Sequence, residues 1–218
     1  MNSLRRLHLG SVTLRGDQVP VHGFLILPDR GPAILADTGI GGPEEAIAYW
    51  RCVNVSVADA LAEQDLIPSD VGLVINSHLH FDHCGQNPVF KHAPFYIQRT
   101  ELERARVESP ELGDWYEFMG ARFELLDGDA EIAPGVRVIS TPGHTSGHQC
   151  VVIDTAEGQQ ILIGDAAYRV STYLDRDLDA AADGQAADPE AWDRSLDRVQ
   201  SLDAAAIHFC HDTGVHRH

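Results

Sequence analysis

The segment 76–83 reads NSHLHFDH and places three histidines and an aspartate within six residues. Given the 12 histidines of the chain, this HxHxDH spacing would arise by chance in about three of a thousand such sequences. Residues two apart in extended backbone point to the same side, so His78 and His80 can approach one ion. If the chain then turns, Asp82 and His83 can face a second ion. Imidazole with carboxylate is a ligand mixture expected for zinc or a related divalent metal, and not for calcium or an iron–sulfur cluster.

Two ions need more ligands than these four residues provide, and further candidates follow apolar runs later in the chain. They are His144 in TPGHTSGH, Asp165 in IGD and His211 in FCHD. If Asp165 bridges the ions, one ion receives three histidines and one aspartate, and the other receives two of each. Glycines beside His144 and Asp165 would let the backbone approach the site closely. The predicted metal ligands are therefore His78, His80, Asp82, His83, His144, Asp165 and His211.

Secondary-structure patterns place these candidates at the ends of elements. Apolar runs predict strands over residues 4–14, 23–27, 33–36, 71–75, 136–139, 150–154, 160–163 and 206–209. Helical spacing predicts helices over 56–66, 100–107 and 189–202, with Thr100 and Asp188 as capping candidates. The aspartate- and alanine-rich stretch 175–188 is predicted to be a solvated loop. Strands interrupted by helices in both halves favour a layered α/β or α+β domain.

Length and composition predict a single globular domain over residues 1–218, with 44% hydrophobic and 22% charged residues. A net charge of −17 repels phosphate backbones and anionic lipid headgroups, so we expect no nucleic-acid or membrane partner. The N-terminal segment contains two arginines without a following apolar run, which predicts a cytoplasmic protein. The four cysteines form no CxxC pair and are expected to be buried free thiols.

The sequence resembles the metallo-β-lactamase-fold hydrolases and, among them, the N-acyl homoserine lactone lactonases. The resemblance covers about residues 23–212 and rests on HLHFDH at 78–83, TPGHTSGHQ at 141–149, the Asp37-Thr38-Gly39 turn and the terminal His211-Asp212. Tyr168 lies three residues after Asp165, where these lactonases place a catalytic tyrosine. Phe81 and the stretch QRTE at 98–101 are also similar to them.

This resemblance implies an αββα sandwich, with two facing mixed sheets flanked by helices and a dinuclear site at one edge. It also implies how the ligands divide. His78, His80 and His144 would hold one metal, Asp82, His83 and His211 the other, with Asp165 and a hydroxide bridging both. Zinc is the expected ion, and cobalt, manganese and iron compete for such ligands. A homodimer is an open alternative to a monomer.

The implied reaction is opening of a small-molecule lactone. A water shared by two cations loses a proton near neutral pH and can attack the carbonyl as hydroxide. The Tyr168 hydroxyl, with one metal, would stabilise the tetrahedral oxyanion. Asp82 would take the proton of the nucleophile and pass it to the leaving alkoxide. The catalytic residues predicted on this basis are Asp82 and Tyr168, and the product is an N-acyl homoserine.

Several residues and functions keep two interpretations. Asp37 and His148 either hydrogen-bond to metal-bound imidazoles or stabilise turns, and Asp212 fits a turn equally well. Cys84 and Cys210 adjoin candidate ligands but are expected to point away from the site. The fold also serves hydrolysis of other lactones, esters, thioesters or phosphotriesters, and the same ligands could form a non-catalytic metal sensor. The segment between Asp37 and His78 is shorter than in the best-known lactonases, which leaves the acyl-chain preference open.

Overall fold

The computed structural model describes residues 1–176 and 184–217 and contains two mixed β-sheets. In spatial order, with strands numbered along the chain, the seven-stranded first sheet contains β4 (Val53–Asn54), β1 (Ser3–Leu14), β2 (Asp17–Leu27), β3 (Ala33–Ala36), β5 (Val71–Ile75), β6 (Phe95–Gln98) and β7 (Phe123–Leu126). The six-stranded second sheet contains β13 (Val215–Arg217), β12 (Ala206–His208), β11 (Gly158–Leu162), β10 (Gln149–Thr155), β9 (Val136–Ser140) and β8 (Ala130–Ala133). Both sheets combine parallel and antiparallel pairs.

Helices lie in the connections between strands. They are α1 (Glu44–Tyr49), α2 (Val57–Ala62), α3 (Phe81–Cys84), α4 (Arg99–Glu108), α5 (Gly113–Tyr116), α6 (Val170–Asp175) and α7 (Pro189–Ser201). Short 3-10 turns occur at Pro68–Asp70, Asn87–Phe90, Pro110–Leu112 and Gly164–Ala166. Within the described residues, no helix has the length and apolar character needed to cross a membrane.

The two sheets face each other across an apolar layer. Phe24 and Ile26 of β2 share this layer with Val151 of β10, whereas Leu25 lies on the other side of β2 and packs in the cluster that contains Leu61 of α2. This alternation follows from the two-residue period of a strand. The outer face of the second sheet is covered by α7, through Trp192, Leu196 and Val199. The predicted αββα arrangement is confirmed.

The predicted elements agree best where apolar runs are continuous. The strand predicted over 71–75 has those bounds, and Asp188 caps α7 by accepting a hydrogen bond from the Ala191 N–H. Thr100 is not a cap, because α4 begins one residue earlier and its N-cap residue is Gln98. The helix predicted over 56–66 ends at Ala62. Of the loop predicted over 175–188, residues 177–183 lie outside the described part of the chain.

The sequence patterns missed the two- and three-residue strands β4 and β13, and also β6, β7 and β8. Strands β6, β7 and β8 are only four residues long, which is too short to establish an alternating pattern. They form by pairing with neighbouring strands, β6 with β5 and β7 with β6. These contacts extend the first sheet beyond β5 and support the loop that follows that strand.

Candidate metal centre

The predicted ligands lie in loops at one edge of the two sheets. The first loop follows β5 and continues through His80, which is extended, into the single turn of α3. This turn redirects the chain, so Asp82 and His83 reach a different part of the site from His78 and His80. A backbone hydrogen bond of 2.9 Å from Gln149 N–H to the Ser77 carbonyl joins this loop to the start of β10 in the other sheet.

One cluster contains His78, His80, His144 and Asp165, whose candidate ligand atoms all lie within 4.8 Å of one another. His78 Nε2 is 2.9 Å from His80 Nδ1, and His144 Nε2 is 3.2 Å and 3.1 Å from these two nitrogens. Burial, together with the neighbouring histidines, lowers the pKa of His78 and His80 well below the ordinary value. Their imidazoles are therefore neutral, which is the form that binds metal.

A second cluster contains Asp82, His83 and His211. Asp82 Oδ2 is 3.9 Å from His83 Nε2 and 3.5 Å from His211 Nε2. All three residues are buried. Burial acts to lower the pKa of His83, but the adjacent Asp165 and Asp82 carboxylates raise it well above its ordinary value. Carboxylates around two imidazoles make this half of the site attractive to cations.

Asp165 lies between the two clusters and presents one carboxylate oxygen to each. Its Oδ2 is 3.7 Å from His78 Nε2 and 3.4 Å from His144 Nε2. Its Oδ1 is 3.3 Å from both His83 Nε2 and His211 Nε2. Burial opposes ionisation of Asp165, but His83 and His211 hold its pKa well below the ordinary value. The geometry suits a carboxylate that contacts two cations at once.

Two buried atoms at this junction show that the residues fit metal ions. His83 Nε2 and Asp165 Oδ1 have no hydrogen-bond partner among the described residues. A buried polar atom without a partner typically costs about 1–3 kcal/mol, and native structures rarely tolerate it without another role. Five histidines with two aspartates form a donor set typical of zinc and its first-row neighbours.

Outer hydrogen bonds direct the ligand nitrogens. Asp37 Oδ2 lies 2.8 Å from His83 Nδ1, and Asp37 also accepts hydrogen bonds from the Ser77 N–H and hydroxyl. His211 Nδ1 lies 2.9 Å from the Pro20 carbonyl oxygen, so this nitrogen is the donor. In both histidines the Nδ1 proton is held on the outside, which leaves Nε2 directed into the cluster. Of the two interpretations of Asp37, the geometry fits a hydrogen bond to the imidazole of a proposed metal ligand.

His148 and Asp212 have different surroundings. His148 Nε2 accepts a hydrogen bond of 3.0 Å from the Asp165 N–H, so it holds the backbone of that residue and touches no ligand imidazole through a hydrogen bond. Asp212 accepts hydrogen bonds from the Val170 and Gly214 N–H groups, at 3.1 Å and 2.8 Å, and acts as a turn residue.

Cys210 is a buried free thiol, as predicted, and packs in the apolar layer between the sheets. Its Sγ groups with Asp37 and His83 within 4.8 Å, and it lies 4.0 Å from Asp37 Oδ2. Asp37 binds the outer nitrogen of His83, Nδ1, so the thiol lies behind this ligand and not on the side proposed for the ions. Both Cys210 and Cys84 are buried, and burial raises the pKa of the Cys210 thiol to about 12. The thiol is therefore protonated at neutral pH.

Tyr168 lies in a cavity of about 270 Å³ beside the two clusters. Its ring packs edge-on against His144 and His211, with centroid distances of 5.7 Å and 5.3 Å. Burial, Asp165 and Asp82 raise the pKa of Tyr168 well above its ordinary value, so the hydroxyl stays protonated. The apolar wall of the cavity consists of Val12, Leu14, Ala46, Trp50, Phe81 and Leu112.

The sequence patterns missed Gln185, which is 2% exposed although it lies in the stretch predicted to be a solvated loop. Its side-chain amide donates to the Asp165 carbonyl at 2.6 Å and accepts from the Tyr168 N–H at 3.1 Å. The backbone carbonyl oxygen of Gln185 lies 3.3 Å from His144 Nδ1. A glutamine among acidic and small residues carries no local signal of burial, so only the folded chain reveals this contact.

Comparisons with known proteins agree with this geometry. Residues 16–211 match the family model of the metallo-beta-lactamase superfamily. The chain is 31% identical to an N-acyl homoserine lactonase of Bacillus cereus, over 89% of this chain and 82% of the relative, and 29% identical to one of Rhizobium radiobacter, over 74% and 70%. A solved N-acyl homoserine lactone hydrolase, with N-hexanoyl-L-homoserine bound at its catalytic metal centre, superposes with a TM-score of 0.80 at 26% identity, covering 96% of this chain and 93% of that one.

Proposed function

The chain belongs to the metallo-beta-lactamase superfamily, and we propose that this metal-dependent hydrolase opens the lactone ring of N-acyl homoserine lactones. One observation carries the proposal: a single cavity joins the histidine and aspartate clusters and Tyr168 to an apolar wall. An acylated lactone has the matching halves, a polar ring with a carbonyl and an apolar chain. Relatives that carry the lactonase name match most of this chain.

His78, His80 and His144 would hold one divalent ion, and Asp82, His83 and His211 the other, with Asp165 in contact with both. Zinc is the proposed ion, and cobalt, manganese or iron could replace it because all accept these ligands. Two ions bound here would supply Lewis acidity and lower the pKa of a shared water, so that hydroxide is available near neutral pH to attack the lactone carbonyl.

Tyr168 acts as a hydrogen-bond donor in this proposal. Its raised pKa keeps the phenol protonated, so its O–H can stabilise the oxyanion that develops when the lactone carbonyl is attacked. The rings of His144 and His211 on either side fix its orientation. The hydrogen bond from the Tyr168 N–H to Gln185 holds its backbone.

Asp82 acts as the proton carrier. It lines the cavity, so it can reach both the nucleophile and the departing ring oxygen. Once the hydroxide oxygen has bonded to the acyl carbon, Asp82 accepts the proton that this oxygen still carries and gives it to the ring oxygen as the bond between the acyl carbon and the ring oxygen breaks. The product is a hydroxy acid, and Asp82 ends in its starting charge state.

The apolar wall would bind the acyl chain. Trp50 and Phe81 stack with ring centroids 6.1 Å apart and nearly parallel planes, 22° apart. Each methylene that leaves water against such a wall contributes about 0.8 kcal/mol. Binding energy from the chain would thus hold the lactone ring against the polar side of the cavity.

Proton release in weakly buffered solution tests the proposal. Short- and long-chain N-acyl homoserine lactones are added to zinc-loaded protein, with chelator-treated protein as the control. We expect acid release that depends on metal and ranks the acyl chains. If loaded protein releases no acid from any of these lactones but hydrolyses aryl esters, thioesters or phosphotriesters, the substrate assignment is wrong. Bound metal without turnover of any ester would indicate a sensor.

A further inference from the structure

Glu101 is a buried carboxylate that lies outside the proposed ligand set. It belongs to the first turn of α4 and has no solvent exposure. A buried carboxylate is costly unless its oxygens are hydrogen-bonded and its charge is balanced. The hydrogen-bond partners of Glu101 therefore indicate which segments it positions.

The two oxygens of Glu101 bind two different loops of the metal centre. Oε1 accepts a hydrogen bond of 2.9 Å from the Leu79 N–H, the peptide group between His78 and His80. Oε2 accepts a hydrogen bond of 2.6 Å from the Thr145 hydroxyl, next to His144. One side chain thus connects the backbone of Leu79 and the side chain of Thr145, which adjoin three proposed ligands of the same ion.

Arg104 balances the charge of this carboxylate one helical turn later. Its Nη2 and Nε donate to Glu101 Oε1 at 2.7 Å and 3.2 Å, and its Nη1 donates to Glu108 at 3.2 Å. The Arg104 side chain is 6% exposed, so this pair lies in a poorly solvated region where hydrogen bonds to charged groups are strong. Glu101 is held rigidly enough to fix the two loops.

The other half of the site uses different supports. Asp37 holds His83, and the Pro20 carbonyl oxygen holds His211, whereas Glu101 bonds to Leu79 and Thr145, which adjoin His78, His80 and His144 of the first cluster. Loss of the Glu101 bonds should therefore affect the first cluster more than the second, whose ligands His83 and His211 have supports of their own.

We infer that Glu101 is a positioning residue that sets the affinity of the His78, His80 and His144 cluster for its metal ion. This inference rests on the proposed metal centre. It adds to that proposal the residue that connects two of the ligand loops. Partners of metal ligands typically change metal affinity by about 10–100-fold when removed.

Cobalt(II) titration of metal-free protein tests this role, with chelator competition to obtain the two dissociation constants and the visible spectrum to distinguish the sites. The main variant is Glu101→Leu with Arg104→Met, which removes both charges and leaves no unpaired buried ion. Thr145→Val removes the hydrogen bond to Glu101 Oε2 and keeps the ion pair between Glu101 and Arg104. Glu103→Gln, at an exposed position of the same helix, is the matched control. His80→Ala identifies the spectrum of the remaining site.

In the double variant we expect one cobalt ion, the one lost in His80→Ala, to bind about tenfold or more weakly, while the second changes little. Thr145→Val should weaken the same ion to a smaller extent, and Glu103→Gln should leave both unchanged. Equal weakening of both ions, or none, would overturn the inference. If the double variant does not fold, Thr145→Val decides, because it retains the buried pair.

The native protein separates this inference from the proposed function. If it binds two cobalt ions but opens no lactone, the substrate assignment fails and the variants still decide the role of Glu101. If the native protein binds no cobalt, both the metal centre and the role of Glu101 are wrong.

Discussion

At the scale of single residues, the site depends on side chains that make an interaction through each of two polar atoms. Asp165 presents one oxygen to each cluster, and its N–H is held by His148 while its carbonyl accepts from Gln185. His83 directs Nδ1 to Asp37 and Nε2 to the proposed metal side. Such residues cannot rotate without breaking an interaction, so the ligand atoms are preorganised.

Asp165→Asn and Tyr168→Phe should separate metal binding from catalysis. Asp165→Asn removes a charge that faces both clusters, so we expect loss of bound metal together with loss of rate. Tyr168→Phe removes only a donor, so we expect full metal content and kcat lower by about 100-fold or more. Elemental analysis of dialysed protein and steady-state kinetics measure both quantities. Equal metal loss in the two variants would show that Tyr168 has a different role.

At the scale of elements, the metal centre requires α4 to lie very close to the loop between β9 and β10. A Cβ atom at Gly147 of that loop would lie 2.2 Å from the backbone nitrogen of Glu101. Only glycine allows this approach, which brings the first turn of α4 against residues 143–148. The hydrogen bond from Thr145 to Glu101 depends on the same proximity.

Gly147→Ala should therefore push α4 from the loop and lower the free energy of unfolding by about 1–3 kcal/mol, the usual cost of overpacking. Gly113→Ala is the matched control, because nothing lies within 4 Å of its added Cβ and its φ of −53° is helical. The control should be neutral or up to about 1 kcal/mol more stable. Urea unfolding measures both, and equal stabilities would contradict the close contact.

At the scale of the whole molecule, stability should depend on histidines outside the metal centre. His208 of β12 lies near Phe24 between the sheets, with Nε2 2.7 Å from Gln160 Oε1. Burial, followed by Arg6 and Arg217, lowers the pKa of His208 from 6.5 to about 4. His208 is therefore neutral in the folded protein at pH values where the unfolded chain already binds a proton.

This difference makes acid destabilising. Between pH 6.5 and about pH 4 the unfolded chain binds the His208 proton and the folded chain does not, so the free energy of unfolding falls as the pH is lowered. The full effect is about 3 kcal/mol for a shift of this size. We expect His208→Gln to reduce the loss between pH 7 and pH 4, measured by urea unfolding of metal-free protein. An identical pH dependence in the variant and the native protein would contradict the neutral state of His208.

The local sequence was sufficient for part of this description. The apolar run before His78 predicted β5 with its observed bounds. The HxHxDH spacing allowed two ions only if the chain turned after His80, and the turn of α3 meets that condition. These features depend on residues within about ten positions, where strand and helix periods apply. The short strands β6 and β8 did not follow, because they form by pairing with neighbouring strands.

The sequence by itself determined which residue types are available for metal binding, their order along the chain, and the family they resemble. Only the tertiary structure decided that the two oxygens of Asp165 face opposite clusters, that Glu101 connects two ligand loops, and that Gln185 is buried beside Tyr168. The physical reason is that the direction of a side chain outside a regular element depends on contacts with distant segments, and those contacts exist only when the two sheets have packed together.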